Sequence, residues 1–217
     1  ALNQGFAVAS GTYQKWIDYQ IAQSKSYSHS TKNAGDLIQA YRLYTLALAG
    51  KEQTAYMNRL KEAKKISEQA KYRLAAAYYI AGRTSVAEDV LAKESVITDG
   101  DYSTFWSELR DDAMKLETLV LMGMISDAMP LAQSIASDFS AQYCSTQEVA
   151  FVAPAFSRLA DVVDDIASSV TVSYEGSSKE FKNVKGVKTL EIPAAAGAVT
   201  IRNASEQSIY LSLTSQR

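Results

Sequence analysis

The chain has 217 residues, of which 47% are hydrophobic and 21% are charged, with 10 Gly and 3 Pro. This composition is typical of one or two globular domains and excludes disordered and collagen-like chains. The 22 basic and 24 acidic residues give a net charge of -2, which excludes the basic surface typical of proteins that bind nucleic acid.

Three further features limit the class of protein. The longest unbroken apolar stretch, Leu74–Ala81, is far shorter than the roughly 18 residues that a membrane-spanning helix needs. A single cysteine excludes an internal disulfide framework. The chain begins at Ala1 without a charged or signal-like leader, so we expect a trimmed piece or a mature form.

Apolar residues recur at helical spacing over roughly the first 168 residues, interrupted by helix-stop signals. Gly50 and Gly82 each follow a helical pattern and are predicted to end it. Ser126 is predicted to cap the seventh helix, with Pro130 in its first turn, and Pro154 falls inside the eighth. The pattern predicts helices at about 13–21, 37–48, 51–65, 67–81, 85–94, 110–122, 127–141 and 146–163.

The helical region contains an internal echo. The segment Ala40–Leu43 and the segment Lys71–Leu74 both contain Tyr-Arg-Leu, and each is followed by Ala-Gly at a helix end. The two arginines, Arg42 and Arg73, are 31 residues apart, which is close to the length of a helical-hairpin repeat. We therefore expect stacked antiparallel hairpins, although the tetratricopeptide signature is absent.

Beyond about residue 168 the apolar period changes to two, which indicates strands. The expected strands lie at 170–174, 187–192, 199–202 and 209–213, with a turn at Gly176-Ser177. A sheet of this size buries little surface alone, so we expect half of a sandwich, packed on the helices or completed by strands encoded elsewhere.

Several polar residues are candidates for a functional site. His29, the only histidine, lies in a polar loop with no evident partners for a triad or a zinc site. The loop at 99–103 has oxygen-bearing residues at alternate positions but lacks the Gly and Glu of an EF-hand. Asp161, Asp164 and Asp165 crowd a helix end, which favours a solvated terminus over a metal site.

Acid–base hydrolysis is the main enzymatic alternative, because helical toroids also form glycosidases. Such an enzyme needs two facing carboxylates, usually beside aromatic side chains. The best candidates are Glu108, Asp111 and Asp112, next to Trp106 and Tyr102. Arg110 among them favours a structural ion pair at a helix N-terminus.

Cys144 and Gln147 have a Cys-x-x-Gln spacing that could close an internal thioester. The alternative is a half-buried thiol at the start of a helix capped by Ser145 or Thr146. The sequence does not show the environment that sets the reactivity of a thiol.

Motifs across the chain resemble the thioester-type helical domain of bacterial alpha-2-macroglobulins. Ser107-x-x-Arg110-Asp111 is similar to that family's Gly-Ser-x-x-Arg-Asp segment, with Trp106 in place of Gly. The run from Ser145 to Ala150 resembles its Ser-Thr-Gln helix start, with Val149 in place of Thr. Further similar segments are Gln39–Gly50, Met57–Leu60, Arg73–Tyr78 and, in the following β region, Tyr210–Leu213.

The resemblance implies an alpha/alpha toroid inserted in a CUB-like β domain of a large secreted or periplasmic protease trap. Residues 1–166 would form an incomplete toroid, and 167–217 part of a β-sandwich. In many members a Cys-x-Glu-Gln thioester captures the protease covalently. Thr146 stands where that motif has Glu, and the surroundings match a later helix, so the resemblance argues against Cys144 as the thioester residue.

We therefore expect a mainly α fragment of a bacterial alpha-2-macroglobulin-like, broad-spectrum protease inhibitor. It would act as a non-enzymatic scaffold in the cell envelope, secreted or anchored by lipid through its parent. We assign it no catalytic, cofactor-binding or metal-binding residue. Its partners would be proteases, reached through the parent protein, and the other macroglobulin domains. The alternatives are a toroid glycosidase using Glu108 and Asp111, and a helical-repeat binding module.

Overall fold

The computed structural model describes residues 7–30, 34–96, 105–141, 143–164, 169–182, 188–193, 196–204 and 211. The chain divides into two compact units, residues 1–156 and 157–217. The described part is mainly helical with a small antiparallel sheet, which confirms the expected fold class. Its helices are α1 (Thr12–Ser26), α2 (Gly35–Leu48), α3 (Thr54–Lys61), α4 (Glu68–Ile80), α5 (Thr84–Ala92), α6 (Glu108–Leu121), α7 (Ile125–Ala141) and α8 (Thr146–Asp164).

Helices α2, α4 and α6 form an inner row, since α4 packs against both of the others, while α1, α3, α5 and α7 flank the row. Two hydrogen bonds show that the three inner helices are parallel. The Asp36 carboxylate, in the first turn of α2, accepts the Ser67 backbone N–H at the start of α4, at 2.5 Å. Gln69, in the first turn of α4, donates to Asp111 in the first turn of α6, at 2.6 Å.

Glycines end α2 and α4 in the same way, as the sequence predicts. Gly50 and Gly82 have φ of 65° and 72°, a left-handed conformation that costs glycine little. After each glycine the next N–H, of Lys51 or Arg83, bonds back at 2.9 Å to a carbonyl of the last helical turn. This Schellman arrangement satisfies carbonyls that a helix end would leave unpaired. The two similar sequence segments therefore have the same local structure at the ends of α2 and α4.

Helix α4 lies at the centre of the core, because it is buried nearly all round. Ala75, Ala76 and Ala77 are inaccessible to solvent, so their small side chains allow the close approach of neighbouring helices. The buried Tyr78 hydroxyl donates to Asn58 Oδ1 at 2.7 Å. Burial raises the pKa of Tyr78 to about 12, so the hydroxyl keeps its proton as the donor in this bond.

Two predictions about α7 are wrong, namely its capping residue and the turn in which its proline lies. The helix begins at Ile125, where the Met124 carbonyl accepts the N–H groups of Asp127 and Ala128, so Ser126 lies inside the helix and does not cap it. Pro130 consequently falls in the second turn rather than the first. Its missing N–H leaves the carbonyl four residues earlier without its usual helical partner.

The second unit contains β1 (Ser169–Tyr174), β2 (Ser177–Lys182) and β3 (Val199–Asn203), with β1 in the middle. The register puts Val172 opposite Lys179 on β2 and Ile201 on β3. Directly opposed residues share a face. One face is therefore largely apolar, formed by Val170, Val172, Tyr174, Phe181, Val199 and Ile201.

The predicted strands are only partly correct. β1 and β3 are confirmed, but β2 was not predicted, and residues 188–192 do not form the expected strand. Glu175 and Gly176, both with positive φ of 47° and 75°, make the tight turn that pairs β2 with β1. Of the strand predicted at 209–213, only Leu211 lies within the described residues, and it is not in a strand.

We predict that Gly82→Ala lowers the free energy of unfolding by about 1 kcal/mol, because alanine is strained at a φ of 72°. Gly82→Asn should cost less, since asparagine tolerates the left-handed conformation better. Urea unfolding followed by circular dichroism at 222 nm measures both. Equal losses for the two variants would show that backbone conformation is not the cause.

Candidate functional site

The carboxylate of Asp111 is buried at the first turn of α6, and both of its oxygens accept hydrogen bonds. Oδ1 accepts Nε and Nη2 of Arg110 at 3.0 and 2.8 Å. Oδ2 accepts the Gln69 amide at 2.6 Å and the Trp106 indole N–H at 3.0 Å. Asp111 and Arg110 are only 3% and 4% exposed, so this is a buried ion pair with four donated bonds.

This geometry bears directly on the glycosidase alternative. A general acid must carry a proton to donate, and a nucleophile must present a free oxygen lone pair. Both oxygens of Asp111 already accept hydrogen bonds from Arg110, Gln69 and Trp106. Glu108 is exposed on the helix surface, so the pair is not gathered in one buried cleft. The arrangement fits the structural ion pair that Arg110 already suggested.

A second buried charged cluster joins the middle of the inner row. Arg73 on α4 is 1% exposed, and its Nη1 lies 2.7 Å from Glu117 Oε2 on α6. Tyr44 on α2 donates its hydroxyl to the other Glu117 oxygen at 2.9 Å. The Arg73 guanidinium lies 4.6 Å from the centre of the Tyr44 ring and 5.4 Å from that of Tyr41. One arginine thus connects α2, α4 and α6 by an ion pair and two cation–π contacts.

Arg73 and Glu117 were missed as a site by the sequence analysis. The repeated Tyr-Arg-Leu segment is the one sequence feature that points to Arg73, because it places this arginine at a repeat position that faces a neighbouring helix. Nothing in the sequence indicates that Glu117, 44 residues later, is the partner. Burying a guanidinium is costly unless a carboxylate compensates its charge. We therefore interpret the cluster as a structural one that holds α2, α4 and α6 together.

The N-terminus of α8 carries a complete capping box. Ser145 Oγ accepts the Glu148 N–H at 3.2 Å, and the Glu148 carboxylate accepts the Ser145 N–H at 2.7 Å. Ser145, rather than Thr146, is therefore the cap. Hydrogen bonds from the Ser145 backbone, the Ser145 hydroxyl and the Ser107 hydroxyl lower the pKa of Glu148. Ser107 is itself the N-cap of α6, so Glu148 links the starts of two helices.

Cys144 lies just before this box, and its half-buried thiol is not part of a disulfide. Its Sγ donates to the Phe139 carbonyl at 3.7 Å. Partial burial and the nearby charge of Glu148 both raise the thiol pKa, which disfavours the reactive thiolate. Gln147 is also partly exposed, in the first turn of α8. These surroundings are typical of an unreactive thiol.

The remaining candidates do not form a site in the part of the chain that is described. His29 is exposed, and its Nδ1 lies 3.4 Å from the Tyr27 hydroxyl. Asp161 is exposed, whereas the loop at 99–103, Asp165 and the side chain of Asp164 fall outside the described residues. Over the described ranges, no three His, Cys, Asp or Glu side chains come together as metal ligands. Nor is any helix there long and apolar enough to span a bilayer.

Comparison with known proteins gives a clear result for the fold. No family model matches the sequence, and no curated protein matches it significantly. Native alpha-2-macroglobulin of Escherichia coli has a TM-score of 0.61 and 17% identity, over 94% of this chain and 13% of that one. The Salmonella protein reacted with methylamine has a TM-score of 0.60 and 22% identity, over 94% and 13%.

The fold is that of a segment of bacterial alpha-2-macroglobulins. The trypsin-activated E. coli protein matches as well, with a TM-score of 0.58 and 16% identity over 94% of this chain and 14% of that one. The chain therefore spans about an eighth of the length of these alpha-2-macroglobulins. The resemblance read from the sequence motifs and the shared fold agree.

We predict that Asp111→Asn lowers the free energy of unfolding by about 3 kcal/mol, because it leaves the buried Arg110 charge without its counter-ion. Glu108→Gln, on the exposed face of the same turn, should change it by less than about 0.5 kcal/mol. Urea unfolding gives both values. A cleft enzyme would show the reverse pattern, with hydrolysis of a glycan abolished by both changes and stability kept.

A second prediction concerns pH. Because the pKa of Glu148 is lowered in the folded chain, its carboxylate stabilises the fold at any pH above its unfolded value of about 4.5. This stabilisation is lost as the pH falls through the lower, folded pKa. Glu148→Ala should therefore cost about 0.5–1 kcal/mol at pH 7 and much less at pH 3.

Urea unfolding of wild type and Glu148→Ala at the two pH values measures the effect. Glu52→Ala, at an exposed residue before α3, serves as the control for removing a surface carboxylate. The same difference between wild type and Glu148→Ala at both pH values would contradict the assignment.

Proposed function

We propose that this chain is a segment of a bacterial alpha-2-macroglobulin-like inhibitor that traps proteases. The observation that carries the proposal is the shared fold, which covers 94% of the chain at a TM-score of 0.61. The motif resemblance supports it independently, since Ser107, Asp111 and Ser145 all occupy structural positions at helix starts.

Within that protein the segment acts as a scaffold. Two observations support this role. Asp111, the buried carboxylate of the enzymatic alternative, has both oxygens engaged in structural hydrogen bonds. The fold of the segment also matches E. coli alpha-2-macroglobulin in both its native and its trypsin-activated state, at TM-scores of 0.61 and 0.58. A segment whose fold matches both states is suited to a structural role.

The domain assignment extends the same proposal. Residues 1–166 belong to an incomplete alpha/alpha toroid, and residues 167–217 to a β-sandwich of which this chain supplies one part. The apolar face around Val172 and Ile201 supports the second assignment, because such a face is usually covered in a sandwich. We also propose that the whole protein acts in the cell envelope or outside the cell, held through its parent chain or secreted.

Cys144 has no covalent role in this proposal. Its thiol is hydrogen-bonded to a backbone carbonyl, and its raised pKa keeps it protonated. If the parent protein carries a thioester, that group belongs to another part of the protein.

Trapping is tested on the full-length parent protein incubated with trypsin. A trap leaves the trypsin active site intact but excludes large substrates, so cleavage of a small chromogenic peptide should persist. Hydrolysis of casein should fall by about tenfold or more, which corresponds to at least 1.4 kcal/mol of discrimination between the two substrates.

Two controls accompany the experiment. Parent protein denatured by heat should protect no casein. Parent protein carrying Glu108→Gln should protect it fully, because that exposed side chain has no part in the proposed mechanism. The proposal fails if trypsin digests casein equally with and without the native parent protein.

A further inference from the structure

The turn between α3 and α4 carries two adjacent exposed lysines. Helix α3 ends at Lys61 and α4 begins at Glu68, and residues 62–66 between them are not helical. Lys64 and Lys65 lie in this turn, and both are exposed. Among the described residues, neither lysine forms an ion pair, and their backbone groups form no hydrogen bond. Little therefore fixes the backbone at this point.

These properties are those of a cleavage site for an endoprotease. Exposed loops with polar residues are preferred sites of proteolytic cleavage, because their backbone enters an active site with little local unfolding. A trypsin-like protease binds a lysine or arginine side chain in a pocket that carries a carboxylate, and it cuts the peptide bond that follows. Lys64 and Lys65 present two such side chains in a segment without backbone hydrogen bonds.

Other exposed basic residues close to the turn are held more firmly. Arg59 lies inside α3. Lys93 follows α5, and its N–H donates to the Val90 carbonyl at 3.3 Å. The Lys93 carbonyl accepts Lys71 Nζ at 3.3 Å, and Lys93 Nζ donates to the Lys61 carbonyl at 2.6 Å. Cleavage after Arg59 or Lys93 therefore requires these bonds or a helical turn to open first.

Contacts between the two sides of the turn are numerous enough to hold the chain together after a cut. The Asp36 carboxylate accepts the Ser67 N–H, and Tyr78 donates to Asn58 at 2.7 Å. One hydrophobic core cluster contains buried side chains from both sides of the turn. None of these contacts involves Lys64 or Lys65, so cutting the chain there leaves them in place.

We propose that the turn at Lys64 and Lys65 is a cleavage site for trypsin-like proteases, and that the cut chain stays folded as two associated fragments. Hydrolysis breaks the peptide bond after Lys64 or Lys65. A water molecule supplies a hydroxyl group to the carbonyl carbon and a proton to the nitrogen of the next residue. The products are a new carboxyl group and a new amino group. The inference goes beyond the proposed trapping and does not depend on it.

The test is limited digestion of the whole chain with trypsin, followed by mass spectrometry of the fragments. We expect new N-termini at Lys65 or Ile66, formed at least about tenfold faster than those produced by cuts after Arg59 or Lys93. Under native conditions the two fragments should elute together from a size-exclusion column. The circular dichroism signal at 222 nm should persist after the cut, because the helices on both sides stay packed.

Two double variants complete the design. Lys64→Gln with Lys65→Gln removes both side chains that the protease recognises, so the cut should disappear while the fold persists. Lys15→Gln with Lys25→Gln removes the same charge at two exposed positions on α1 and should be cut in the turn at the wild-type rate. Circular dichroism confirms that each variant is folded before digestion.

The proposal is overturned if trypsin cuts after Arg59 or Lys93 as fast as it cuts in the turn. It is also overturned if the two fragments separate on the size-exclusion column, because the contacts across the turn would then be too weak to hold them.

Discussion

Parallel packing of the inner helices places the N-termini of α2, α4 and α6 on the same side of the first unit, and this constraint governs the polar residues around them. Each terminus has unpaired N–H groups and a partial positive charge, and neighbouring termini repel one another. Carboxylates of the chain lie at these termini, where their negative charge offsets the partial positive charge. Asp36 binds the start of α4 from α2, and Asp111 receives a bond from α4 at the start of α6. Glu148 repeats the arrangement by linking the start of α8 to Ser107.

The same constraint explains why acidic residues in this chain resemble catalytic residues in sequence but not in structure. A carboxylate at a helix start, beside a tryptophan and an arginine, is also what a glycosidase site would contain. Here Trp106 and Arg110 both donate hydrogen bonds to the Asp111 carboxylate. The amide of Gln69, on the neighbouring helix α4, donates another. An ion pair so fully bonded contributes geometric specificity, since it is satisfied only when α4 and α6 are in the correct register.

Much of the helical unit could be predicted, because helix ends are encoded locally. Gly50 and Gly82 mark ends that depend on one backbone angle, and Ser145 with Glu148 forms a cap within a single turn. The predicted start of α7 is wrong. Ser126 has the side chain of a typical cap, but the carbonyl of Met124, two residues earlier, already accepts the first helical hydrogen bonds. Local propensity alone does not decide between two such starts.

Interactions between distant residues were much less predictable. β2 has no apolar alternation of its own, and it is a strand because a tight turn folds it back on β1. The ion pair and hydrogen bond at Glu117 connect it to Arg73 and Tyr44 on two other helices, and no spacing in the sequence indicates these contacts. The family resemblance agrees with the fold of the chain, because it compares whole segments in order, but it indicates neither β2 nor the contacts of Arg73.

The glycine-closed helix ends have a further consequence for a chain proposed to meet proteases. A protease must draw several residues of extended backbone into its active site, and exposed, mobile loop tips are where it finds them. The turn from Ala81 to Arg83 is held by backbone bonds on both sides of Gly82, and the turn after α2 is held in the same way. Cutting at these turns would first require the adjoining helix to unwind, at the free-energy cost of local unfolding. These two turns are therefore poor cleavage sites for the proteases that the proposed parent protein would trap.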